Sequence, residues 1–224
     1  MLRCRREPVP GPEGLAVPVD QPQYPVNLIL EGRRCLVVGG GAVARRKVEG
    51  LLACGAVVTV IAPELDPGLP SDAVQWEPRR YERGDVRGYR LAVAATDDPE
   101  VNRAVFEDGE AENIWVNAAD EPSSCSYTLP SVVRRGPIMV TVATGGHSPA
   151  LSTWLRRHVD RELGPEYLVL VELLSEERAA IKAAGGSTEG LDWLSALDSN
   201  MLELIRAGEI GRAREQLQAC LSSS

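Results

Sequence analysis

Aromatic side chains make up 4% of the 224 residues, with a single phenylalanine among them. Any core must therefore be assembled from Val, Leu, Ile and Ala. No apolar run approaches the ~20 residues that a membrane-spanning helix requires, so no membrane association is expected. The start, MLRCRREPVPGPEG, is positively charged but lacks the apolar segment that a signal peptide places next, which makes a cytoplasmic location the expectation. Basic surplus is missing as well. A net charge of -8 argues against nucleic acid as a partner, because phosphate contacts draw on an excess of Lys and Arg over at least one face. The five cysteines (Cys4, Cys35, Cys54, Cys125, Cys220) are odd in number and contain no C-x-x-C pair, so neither a disulfide framework nor a structural zinc site is indicated. Cys35 and Cys54 fall on strand and helix patterns and read as small core residues. There are only two histidines, His147 and His158, without H-x-x-H spacing or an acidic cage, and a resident metal site is not expected. His158 stands among Arg156, Arg157 and Asp160 and reads as a helix-surface residue.

What is present is an ordinary globular composition, 44% hydrophobic and 25% charged. Residues 1–23 hold five prolines and no periodicity, and read as a disordered tail. From Tyr24 the pattern changes. RRCLVVG (33–39) is a short buried strand, AVARRKVEGLLACG (42–55) a helix ended by Gly55, and AVVTVIA (56–62) a second strand. The alternation continues with AVQWEP (73–78), LAVAATDD (91–98), a helix from Pro99 to Glu112, and NIWVNAAD (113–120). Strands alternating with helices predict a doubly wound parallel sheet, an α/β domain of Rossmann type over 24–119. Beyond it, EPSSCSYTLPSVV and GPIMVTVATGG are extended segments separated by Arg134, Arg135, Gly136 and Pro137, expected to form an antiparallel pair outside the main sheet (120–147). From Ser148, a capping residue followed by Pro149 at the first helical position, the chain reads as an all-helical domain (148–224), with Leu151, Trp154, Leu155, Val159 and Leu163 at helical spacing.

Gly39, Gly41 and Ala44 fit G-x-G-x-x-A between a predicted strand and a predicted helix, the setting that a dinucleotide site demands. The first glycine permits the turn, the second lets the backbone approach a pyrophosphate, and N–H groups at the helix N-terminus face the anion. The acidic residue that grips the adenosine ribose belongs near the end of the second strand. There Glu64 follows Pro63, which favours NAD over NADP. Ligands of such sheets lie beyond the carboxyl ends of the strands, where the fourth strand delivers Thr96 and the fifth Asn117 and Asp120.

GGGAVARRK, AATDDPEVN, VNAADEPSSCSYTLPS and VATGGHSPALS, in that order, resemble the precorrin-2 dehydrogenase family, whose members supply the oxidation and often the iron-insertion steps of sirohaem synthesis. The resemblance covers Tyr24 to Leu221. It implies a Rossmann domain, a dimerisation segment and a helical C-terminal domain in a homodimer, with NAD as oxidant and precorrin-2 as substrate. It places the catalytic aspartate on Asp120, the dinucleotide contacts on Gly41, Ala42, Val43, Pro63 and Glu64, and substrate contacts on Thr144 and Gly145 of the fourth motif. Some members carry a phosphorylatable serine where this chain has Thr144, and often Thr or Lys where it has His147.

Dehydrogenating a tetrapyrrole carbon needs a hydride acceptor and a base. The cofactor fills the first role, and Asp120, its pKa raised by partial burial and a nearby anionic substrate, suits the second. Metal insertion into sirohydrochlorin, with Fe2+ or Co2+ as substrate, needs a group to take pyrrole protons. Asp120 and His147 are the candidates, since the family fold brings their loops toward one cleft. The carboxylate-rich substrate must be attracted by local charge. Arg45, Arg46 and Lys47 follow the glycines, but the first two fall on the polar face of a helix that buries Ala44, Val48, Leu51 and Leu52. Arg134 and Arg135 are the stronger candidates. The competing reading is a dinucleotide-sensing regulatory protein, which would use the same glycine loop without catalysis; it leaves Asp120 without a role, and the C-terminal helices show no basic recognition face.

Overall fold

The computed structural model describes residues 22–119 and 121–222. The proline-rich tail, apart from Pro22 and Gln23, lies outside the described residues, as does Asp120.

The first half of the chain lays down β1 (Arg34–Val38), α1 (Ala42–Leu52), β2 (Val57–Ile61), β3 (Gln75–Glu77), β4 (Leu91–Ala94), α2 (Pro99–Glu112) and β5 (Trp115–Ala118). The strands form one sheet in the order β3-β2-β1-β4-β5, and every pairing is parallel. A parallel sheet covered on both faces needs strands apolar on both sides, and four consecutive residues of β1 and all four of β4 are buried. Alternation along each strand divides the core in two. Cys35, Val37, Val58, Val60 and Val93 join Ala44, Val48 and Leu51 of α1, while Leu36, Val38, Ile61, Ala92 and Val116 join Val105 of α2 and Val86. Helix α2 lies close to its strand because Gly109 has no side chain; a Cβ there would meet Val116 Cγ2 at 2.2 Å.

Helix α2 spans the residues that the sequence predicts, but β4 stops at Ala94 rather than running to Asp98. The reason is local: the Asp98 carboxylate accepts the backbone N–H groups of Glu100 at 2.9 Å and Val101 at 3.4 Å, so the chain has already turned into a helix cap. Likewise β5 starts at Trp115, since Asn113 closes α2 in the left-handed conformation, φ 56°.

The chain divides into two compact units. One holds the described residues through Leu129 together with Gly145–His147; the other holds Pro130–Thr144 and the residues from Ser148 onward. In the second, β6 (Ser131–Arg135) and β7 (Ile138–Val142) pair antiparallel with Arg135 opposite Ile138. A turn of only Gly136 and Pro137 joins them, with Gly136 at φ 53°. Arg134 and Arg135 are thus strand residues and not part of the connection, a correction that follows from the two-residue turn. Helices α3 (Pro149–Glu162), α4 (Glu166–Ala183), α5 (Trp193–Leu197), α6 (Met201–Arg206) and α7 (Ile210–Ser222) complete the unit. Ser148 caps α3 by accepting the Leu151 N–H at 3.1 Å. Its core is made by α4 to α7, through Leu170, Leu173, Ala196, Met201, Ile205, Ala213 and Leu217. Helix α3 buries only Ser152. Leu151 and Trp154, at core spacing in the sequence, are exposed, and the Trp154 ring lies parallel to the exposed His158 ring with centroids 5.6 Å apart. No helix among the described residues is long and apolar enough to cross a membrane.

Candidate dinucleotide site

Three glycines leave β1, and each is required by something different. The Gly39 N–H donates to Ile61 O at 2.9 Å with φ 114°, and a Cβ on it would stand 2.3 Å from Ala95 O. Gly40 is pressed from the other side: a Cβ on it would stand 1.9 Å from Glu64 O, while its carbonyl accepts the Asp66 N–H at 2.6 Å. Both glycines are demanded by the protein itself. Gly41 is not. Its φ of -78° and ψ of -175° are extended backbone open to any residue, and no atom lies within 4 Å of where its Cβ would be.

Gly41 is also the N-cap of α1, which has no side-chain cap and no acidic residue in its first turn. The Arg45 N–H is the first to return to the helix, donating to Gly41 O at 2.9 Å. The N–H groups of Ala42, Val43 and Ala44 therefore have no intrahelical acceptor. Open space before Gly41 and three such donors make a fitting seat for a pyrophosphate. Exposed Pro63 and Glu64 follow β2 on the same edge, and the Glu64 carbonyl over Gly40 ties that loop to the glycines.

Two features beside this seat differ from the sequence expectation. Arg45 does not simply decorate a polar helix face: its Nε is buried and makes no hydrogen bond, and it stands 3.6 Å from Asp66 Oδ1. Asp66 Oδ1 in turn accepts the Gly68 N–H at 2.8 Å. In the sequence Asp66 is a single acidic residue after a strand and looks like any loop residue.

The edge beyond β4 and β5 is built from side chains bonded to one another. Asn102, 5% exposed, accepts from the Thr96 N–H at 3.1 Å and the Thr96 hydroxyl at 2.8 Å, and its amide donates to Thr96 O at 3.1 Å. The Thr96 hydroxyl is thereby taken up in holding its own loop. Asn102 closes AATDDPEVN, where it reads as one more helix residue. Asn117 is buried; its amide donates to Tyr127 O at 3.0 Å, and its carbonyl oxygen accepts from Lys47 Nζ at 3.4 Å. It pins the segment after Asp120 to the sheet, helped by the Ser126 N–H donating to Val116 O at 2.8 Å. Burial pushes the Tyr127 hydroxyl well above its ordinary pKa, with the neighbouring Cys35 and Cys125 adding to the shift. Burial first, and then Cys54, push the Cys35 thiol up to about 11, in keeping with a core role.

Among the remaining expected residues, His147 is exposed in a turn after Gly145 and Gly146, which have φ values of 59° and 84°. The Thr144 hydroxyl lies 3.0 Å from Ser152 Oγ and donates to Ser148 O at 3.1 Å, fastening the start of α3. Arg135 is fully engaged, with Asp160 Oδ1 at 2.7 Å and Leu163 O at 3.0 Å, whereas Arg134 is exposed. No group of three or more metal-ligating side chains occurs among the described residues.

Comparison with known proteins agrees with this architecture. A family model for NAD(P)-binding domains matches residues 26–131. A siroheme synthase of Chromobacterium violaceum is 39% identical over 201 residues, 87% of this chain and 43% of the relative. A siroheme synthase of Methylobacillus flagellatus is 37% identical over 204 residues, 88% of this chain and 44% of the relative. The chain thus spans less than half the length of these relatives. The solved structure of SirC, a precorrin-2 dehydrogenase, superposes with a TM-score of 0.71 at 27% identity, covering 88% of this chain and 98% of SirC. With the glycine loop, the parallel sheet and nearly the whole of SirC in common, this chain belongs to the family of the precorrin-2 dehydrogenases and the corresponding module of the siroheme synthases.

Proposed function

We propose that the chain oxidises precorrin-2 to sirohydrochlorin with NAD+ as the oxidant, as a cytoplasmic homodimer. The observation that carries this reading is Gly41. Neither backbone conformation nor packing within the chain asks for glycine there, and a pyrophosphate approaching the N–H groups of Ala42 and Val43 does. The match along nearly all of SirC supports the reaction. When bound, NAD+ supplies the hydride acceptor.

The chain's own residues hold and deprotonate. Gly39 makes the turn, Gly41 leaves the approach to the helix start open, Ala42 and Val43 present the donors, and Pro63 and Glu64 border the adenosine end. Asp120 takes the proton released as the hydride leaves, a role that a positioned carboxylate fills as general base. Asn117 and Thr96 hold the flanking loops in place rather than touching the cofactor. Arg134 attracts substrate carboxylates, with Thr144 and Gly145 as further substrate contacts; Arg135 supports its strand. Insertion of Fe2+ or Co2+ into sirohydrochlorin is a second activity of the same chain, with Asp120 taking pyrrole protons and His147 assisting.

The test is to incubate the pure protein with precorrin-2 and NAD+ and follow the absorbance, then to add sirohydrochlorin with Fe2+ or Co2+ in a separate run. Formation of sirohydrochlorin is expected, abolished in Asp120→Ala while dinucleotide affinity stays within about twofold. A fully active Asp120→Ala variant overturns the assignment of the base. Dinucleotide binding without oxidation overturns the enzyme in favour of a sensor, and oxidation without metal insertion removes the second activity. A monomer by light scattering overturns the dimer.

A further inference from the structure

We infer that the Arg45–Asp66 pair decides which dinucleotide the chain accepts: Asp66 neutralises an arginine that would otherwise hold a 2′-phosphate. The inference rests on the proposed use of NAD+ and adds to it the residues that select it.

A dinucleotide whose pyrophosphate sits at the start of α1 places its adenosine ribose beyond the end of β2, where an acidic residue favours the free 2′-hydroxyl and a nearby arginine favours the 2′-phosphate. This chain has both charges at that place. Arg45 lies in the second turn of α1, four residues after the Gly41 cap. Asp66 lies in the loop after β2, fixed to the glycine loop by its backbone N–H, which donates to Gly40 O at 2.6 Å. Three facts show an arginine held but not saturated. Its Nε is buried without a hydrogen bond, the Asp66 carboxylate stands at 3.6 Å, beyond bonding distance, and Arg45 Nη1 lies so close to Gly68 that a Cβ on that glycine would approach it to 2.6 Å. The Arg45 side chain as a whole is 38% exposed, so burial does not shut it off from an incoming ligand. A carboxylate at 3.6 Å cancels most of the field that a dianionic phosphate would feel, and exposed Glu64 adds repulsion of the same sign. A 2′-hydroxyl meets no such penalty.

The experiment measures dissociation constants for NAD+ and NADP+ by calorimetry on the wild-type chain and on Asp66→Asn, Arg45→Gln and the double variant, with thermal melting as a check on folding. Asparagine keeps the oxygen that accepts the Gly68 N–H and leaves the backbone bond to Gly40 intact, so the fold should persist. The wild-type chain should bind NAD+ at least tenfold more tightly than NADP+. Asp66→Asn should shift that ratio toward NADP+ by about tenfold, roughly 1.4 kcal/mol, and adding Arg45→Gln should cancel the shift. A ratio in folded Asp66→Asn within twofold of wild type overturns the inference while leaving the use of NAD+ standing, as does a shift that survives Arg45→Gln. If the wild-type chain binds neither dinucleotide, the proposed function fails and this inference fails with it.

Discussion

The two halves of the strand-end edge in the first unit are made in opposite ways. Beyond β1 and β2 the chain uses backbone: three glycines, a carbonyl over a Cα, and N–H groups left without acceptors. Beyond β4 and β5 it uses side chains, with Asn102 holding Thr96 and Asn117 holding the segment at Cys125 to Tyr127. The first half leaves polar groups free for a ligand, and the second consumes them in keeping loops fixed. Backbone can be offered to a pyrophosphate because glycine removes the side chains that would block it, while fixed loops need bonded side chains to resist water.

Substitution within the glycine triplet should break this contrast most severely. Gly40→Ala puts a methyl group 1.9 Å from Glu64 O, so the loop after β2 must move. We expect a loss of about 3 kcal/mol or more, by analogy with strained and overpacked sites, read as a large drop in melting temperature. On the other half, Asn102→Ala leaves the Thr96 backbone groups without their partners. It should cost about 2–3 kcal/mol, visible in urea unfolding, with a dinucleotide affinity in the folded fraction within about threefold of wild type. A larger fall in affinity would mean that Thr96 and Asn102 belong to the ligand site and that the contrast is false. Gly41→Ala should do the reverse. The lost N-cap preference and the reduced unfolded-state entropy are each worth up to about 1 kcal/mol and oppose one another, so stability should barely change while NAD+ affinity falls about tenfold. Unchanged affinity would remove the observation on which the proposed cofactor rests.

The smallest effect concerns a surface that neither half includes. Burial alone would raise the Asp108 carboxyl, but hydrogen bonds from the Tyr81 hydroxyl at 2.6 Å, the Gly84 N–H at 2.8 Å and Arg83 at 2.8 Å outweigh it and hold its pKa below the usual carboxylate range. A pKa depressed on folding adds stability above the unfolded value of about 3.9, and that stability is lost as the pH falls through the folded value. Melting temperature should therefore drop as the pH is lowered below about 4, with a shallower slope in Asp108→Asn. Dinucleotide affinity at pH 7 should be the same in both, because this network stands apart from the strand ends.

The division between what could and could not be read from sequence follows the same line. The β1, α1 and β2 unit was legible because its apolar runs and glycines are local signals, and α2 because Asp98 and Pro99 announce its start. The roles of Thr96 and Asn117 were not legible. Position at a strand end is visible in sequence, but whether a polar group faces a ligand or a neighbour depends on residues such as Tyr127 and Lys47, which only the fold brings near. The exposure of Leu151 and Trp154 was hidden for a related reason. Helical spacing shows that a stripe exists and not which surface, if any, of the chain covers it.

The central position of β1 also bears on how the chain comes to be folded. β1 pairs with β2 on one side, its near neighbour in sequence, and with β4 on the other, whose residues are made only after two further strands have left the ribosome. Until then Cys35 to Val38, wholly apolar and buried in the finished protein, presents an open strand edge to solvent and to other nascent chains. Closure of that edge is the long-range step of assembly. Folding of the first unit should accordingly be slow for its size and prone to aggregate at high expression, with the synthesis of Leu91–Ala94 as the event that ends the hazard.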